Sequence, residues 1–141
     1  MLPFVRRPSG ALAMMWAAAV VGFAPATIHA DGRQRTGFAA HYRPGLMEKV
    51  ARQRGLEVVA CMVASPHHKI GVWLSIHSPK RKQTLKCRVT DVPQKAHRPA
   101  LIRKGIVVEL DFESAKILCG IKRPREAPPS ACKVVTTVTT R

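Results

Sequence analysis

"GVWLSIHSPKRKQTLKCRVTDV", residues 71–92, is the stretch on which the fold turns. Val72, Leu74 and Ile76 alternate with Trp73, Ser75 and His77, the two-residue period of a half-buried strand. "SPKRKQ" (78–83) is turn chemistry, and "TLKCRVTDV" (84–92) returns with Leu85, Cys87 and Val89 on one face. The two runs read as a hairpin with a strongly basic tip. The return strand ends on Asp91, just before Val92 and Pro93. A carboxylate there is either an Asx-type turn cap or an acid held out into a groove.

Working outward, "GFAAHY" (37–42) reads as a first short strand ending at the Arg43–Pro44–Gly45 turn. "LMEKVARQRGL" (46–56) spaces Leu46, Met47, Val50 and Ala51 as a helix, turns Lys49, Arg52 and Arg54 to solvent, and stops at Gly55. "EVVACMVAS" (57–65) is an apolar strand-like run broken by Pro66, and "QKAHRPALIRK" (94–104) is a loop leading into a short turn or helix. "GIVVELD" (105–111) is another strand, and "FESAKILCG" (112–120) is a short helix closed by Gly120. Residues 121–141 read as a basic tail, whose "VVTTVTT" adds an edge strand only if Cys132 ties it down. This run of short strands and helices predicts a mainly β chain, a small barrel with helical decorations.

Residues 1–30 stand apart. Arg6 and Arg7 precede the apolar run "ALAMMWAAAVVGFA", and "ATIHA" places a small residue at Ala30, the pattern of a cleaved secretory signal peptide. The run is too short for a membrane span, which needs about 20 residues. The expected location is therefore periplasmic or secreted. The leader takes two of the 24 Lys and Arg and none of the eight acids, so the remainder carries +14. That charge favours polyanionic partners. Nucleic acid is not expected among them, because the export signal opposes it and no aromatic-interleaved basic motif is present. Cys61, Cys87, Cys119 and Cys132 make an even set in a small exported domain, the mark of two disulfides. Three pairings are open. No C-x-x-C occurs, so neither a metal nor another cofactor is expected.

Four segments, in order, resemble the double-psi β-barrel of the rare lipoprotein A family, related to expansins and barwin-like domains. "KIGVWLSI" is similar to that family's P-L-G-T-x-V-x-V strand, with Gly71 at its glycine. "CRVTDVP" is similar to V-x-V-x-D-x-G-P, and "GIVVELDFESAKILCG" to R-x-I-D-L-S-x-x-A-A-x-x-L-G, with Gly105 opening and Ala115 packing. "TGFAAHYRPG" is similar to the opening G-x-A-S-W-Y-G, with Tyr42 at the tyrosine. The resemblance implies a six-stranded double-psi barrel over residues 31–120, with two or three short helices and a polysaccharide groove.

It also implies that Asp91 and Glu109 face that groove as catalytic candidates. A partly buried acid beside another carboxylate has a raised pKa and can protonate a glycosidic oxygen. Two departures weigh against catalysis. Ser65 stands where the family's lytic transglycosylases carry a histidine, although His67 and His68 are close. His41-Tyr42-Arg43 stands where related endoglucanases carry a base. Tyr42 and Trp73 are candidates to stack on sugar rings, and His67, His68, Lys80, Arg81 and Lys82 to hold an anionic polymer. The expectation is a monomeric wall-associated protein that engages peptidoglycan or a related glycan, either as a weak lytic transglycosylase or as a binder without catalysis. The alternative is a non-catalytic, basic, barwin-like binder of anionic polymers.

Overall fold

The hairpin forms as its alternation dictates. In the computed structural model of the chain, which describes residues 34–121 and 126–141, Trp73–Ser78 and Gln83–Asp91 pair antiparallel, Trp73 opposite Arg88 and Ser78 opposite Gln83. Leu74, Ile76, Cys87 and Val89 are fully buried, each large side chain contributing about 1.5–3 kcal/mol. In chain order the elements are β1 (Gln34–His41), α1 (Leu46–Gln53), β2 (Met62–Ala64), β3 (Trp73–Ser78), β4 (Gln83–Asp91), α2 (Arg98–Arg103), β5 (Ile106–Leu110), α3 (Phe112–Cys119) and β6 (Cys132–Thr139). The six strands close into a barrel in the order β1-β5-β2-β4-β3-β6. Two pairings, β1 with β5 and β2 with β4, are parallel, and the rest are antiparallel. The chain is thus mainly β, a closed six-stranded barrel of the double-psi kind with three short helices. The leader expected over residues 1–30 lies outside the described residues.

Each parallel pairing skips one residue. In β5 the partners of Phe38 and Ala39 are Ile106 and Val108, so Val107 is extra. In β4 the partners of Val63 and Ala64 are Val89 and Asp91, so Thr90 is extra. Such a bulge bends a strand and re-aims the residues beyond it. β1 accommodates its bulge closely: a Cβ on Gly37 would sit 2.5 Å from the Gly105 carbonyl and 2.6 Å from a Val107 methyl. A side chain there cannot fit without moving the Gly105 backbone just ahead of β5.

The barrel interior is filled by Val63, Leu74, Ile76, Val89, Val108, Leu110, Leu118 and Val134 among others. A second cluster lies outside it, where Met47 and Ala51 of α1 cover Met62 and Ala64 of β2. Helical spacing had named Met47 and Ala51 correctly, whereas Leu46 turns outward.

One boundary is corrected. The barrel does not end at residue 120, because part of the expected tail is its sixth strand, paired with β1 on one side and β3 on the other. Val134 and Thr136 point inward and are fully buried. The disulfide Cys119–Cys132 ties this strand to the end of α3, and Cys61–Cys87 joins the start of β2 to β4. Each loop closure is worth about 3 kcal/mol in the chain-entropy account. Disulfides of this kind belong to oxidising compartments. Among the described residues no helix is long and apolar enough to cross a membrane.

A second correction falls on Asp111, assigned above to the end of a strand. β5 stops at Leu110, and Asp111 caps α3 by accepting from the Ser114 amide at 2.9 Å.

Candidate functional site

Ala64 organises the site. This small, buried residue of β2 pairs with Asp91 of β4 on one side and Glu109 of β5 on the other. Strands lie about 4.8 Å apart, so the two acidic residues stand roughly 10 Å apart across β2. The bulge at Thr90 makes this possible. Alternation from Cys87 and Val89 would turn Asp91 into the core, but the extra residue brings it into register with Ala64. Both acids then line one open groove of about 480 Å³, with Tyr42, Gln94, His97 and Lys104 as its other polar residues. Val92, Pro93, Ala100 and Leu101 supply apolar wall.

The two acids differ in their partners. Asp91 accepts from the Tyr42 hydroxyl at 3.2 Å through Oδ2, and from the Arg54 guanidinium through Oδ1. Its side chain makes no turn-capping bond to backbone among the described residues. Each oxygen accepts one donor. Asp91 is the anchored carboxylate of the site. Glu109 has no hydrogen bond or ion pair among the described residues. Burial pushes its carboxyl above the usual carboxylate range and the charge of Asp91 pushes it further, while His97 opposes the shift. A half-buried acid that keeps its proton at a higher pH is suited to donate it. Tyr42 is held as a neutral donor, its phenol raised by burial first and then by Glu109 and Asp91.

The groove thus joins Asp91, Glu109 and Tyr42 and adds Gln94, His97 and Lys104, which the sequence did not signal, while Arg54 reaches Asp91 from α1. Arg54, read as a solvent-facing residue of α1, is its C-cap and swings to Asp91. Nothing in its local sequence signals a partner in β4.

The remaining candidates lie elsewhere. His67 and His68 line an adjoining hollow rather than the acid groove. The buried Ser65 hydroxyl accepts from the amides of His67 and His68, both at 3.1 Å, so its own proton points to His68 Nδ1 at 3.0 Å. Ser65 shapes this turn. Trp73 is on the outer face of the hairpin under the Lys86 ammonium, 5.8 Å from its ring centre, and lines neither hollow. Lys80 and Arg81 border a separate depression beside Cys119 and Gly120. With Lys82 they sit at the far end of β4, roughly 25 Å from Asp91 along an extended strand. No known protein-family model matches this chain, and no curated protein matches it in sequence.

Proposed function

We propose that this chain is an exported, wall-associated barrel of the rare lipoprotein A type that engages a glycan strand, peptidoglycan or a close relative, in the Asp91–Glu109 groove. The observation that carries this reading is the pairing of both acids with Ala64, one anchored and one free to hold a proton. Glu109 donates its proton to the glycosidic oxygen as the C–O bond breaks. The sugar's own hydroxyl closes on the anomeric carbon and returns a proton to Glu109, so one acid serves both steps. Hydrolysis by two free carboxylates would need a second one to activate water, and Asp91 is occupied. Purified sacculi incubated with residues 31–141 are expected to release anhydro-sugar products, and Glu109→Gln is expected to release none. Equal release by both proteins rejects the assignment.

The second reading, a basic binder without catalysis, is favoured by the grip of Arg54 on Asp91 and by the cationic tip at Lys80 and Arg81. It expects sacculus binding that is steep in salt, weakened by Lys80→Ala and indifferent to Glu109→Gln.

A further inference from the structure

Val92 and Pro93 form a ridge. On one side lies the acid groove, and on the other the hollow that contains His67 and His68, since both hollows share these two residues as wall. The second hollow, also about 480 Å³, is the more cationic of the two. Lys69 enters it from the loop before β3, Lys95 from the loop after β4, and Arg98 from α2; no acid lines it. None of the three is ion-paired with an acid among the described residues. Of these three cations only Arg98 bears on the histidines, and on His67 alone. Both imidazoles are pushed below their ordinary value, first by burial and then by Arg35, with His68 and Arg98 adding to the effect on His67. Like charges that converge from three separate elements and stand exposed repel one another weakly through solvent. An anion in the hollow removes that repulsion.

We infer that this hollow is a subsite for a carboxylate carried by the sugar next to the bond held in the acid groove. The inference rests on the reading of that groove as a glycan site and specifies its substrate class, an acidic rather than a neutral glycan. Charge sets the register. Lys69, Lys95 and Arg98 outnumber the single Lys104 of the acid groove and attract an anionic substituent across the ridge, and the uncharged glycosidic linkage is left at Glu109. Lysine and arginine donors to a carboxylate make charge-assisted hydrogen bonds, which are stronger than neutral ones.

The test is calorimetric binding of residues 31–141 to four tetrasaccharides at fixed low salt. One is neutral and built of N-acetylglucosamine. One alternates it with N-acetylmuramic acid, so that lactyl carboxylates are free. A third has those carboxylates converted to amides, and the fourth carries its carboxylates at the ends of short peptides. The acid form is expected to bind about tenfold more tightly than the amide or neutral forms. Lys95→Ala combined with Arg98→Ala is expected to erase that preference and leave neutral binding unchanged. α2 buries no side chain, so this variant keeps its fold, and Lys80→Ala with Arg81→Ala is the distant control. Tight binding of the peptide form equal to the lactyl form widens the ligand to any carboxylate in reach and upholds the subsite. Equal binding of acid and amide, or a preference that survives the double variant, overturns the subsite and leaves the glycan reading standing. Failure of all four to bind overturns both.

Discussion

Glu109 and Asp111 are two residues apart and have opposite fates. Asp111 is buried beneath α3, where its carboxylate accepts from the Met62 amide at 2.7 Å, the Ser114 amide at 2.9 Å and the Ser114 hydroxyl at 2.7 Å. Those bonds fasten β2 to the start of α3, and the Asp111 amide returns the tie by donating to the Met62 carbonyl at 2.9 Å. Glu109 is half-buried at the edge of a groove and has none of this. A buried carboxylate whose oxygens are filled by backbone donors holds a fold together. One that is desolvated and left without donors is available for chemistry.

The largest effect expected from this contrast is on stability. Asp111→Ala leaves two buried amides without an acceptor and removes a helix cap, at a cost of about 3–5 kcal/mol. Urea unfolding should show the loss as a lower midpoint with an unchanged slope. A loss below about 1 kcal/mol would break the comparison.

Glu109→Gln should do the reverse. Release of anhydro-sugars from sacculi falls at least about a hundredfold, as befits removal of a general acid, while stability at pH 7 is equal or higher. The folded chain holds the Glu109 proton more tightly than the unfolded chain does. Its contribution is therefore fully present below the ordinary carboxylate range and is lost as pH rises through the raised folded value. Urea melts across that window should show the wild-type losing stability relative to Glu109→Gln, and the rate of sugar release should fall over the same rise.

Smaller effects sharpen the contrast at Asp91. Tyr42→Phe removes one hydrogen bond and is expected to cost about 1 kcal/mol in the same melts. Arg54→Ala should cost less than about 1 kcal/mol and less again in high salt, because the Arg54 side chain is 42% exposed and its pair is screened.

The hairpin, α1 and the strand–helix unit from Gly105 to Gly120 were legible because periodicity and turn residues are local signals. The Asp111-Phe112-Glu113-Ser114 cap carried such a signal too, an N-cap Asp ahead of a helical run, but strand propensity in "IVVELD" overrode it in the reading. "VVTTVTT" had the β-branched composition of a strand, yet its burial depends on two partners distant in sequence, β1 and β3. The hairpin tip and Trp73 looked like binding residues on charge and aromaticity alone. The direction in which β4 runs carries the tip away from the acids, and Trp73, opposite Arg88, lies outside their groove beside Lys86.

Sequence by itself determined the strands, the helices, an even set of cysteines and two acids placed where strands end. It did so because side-chain alternation, turn chemistry and helix spacing act between near neighbours. Tertiary structure decided the disulfide pairing, the inclusion of β6 and the different surroundings of Asp91 and Glu109. Those depend on which strands become neighbours and on single skipped residues at Val107 and Thr90. A bulge changes which way a carboxylate points without changing any residue near it that a pattern would notice.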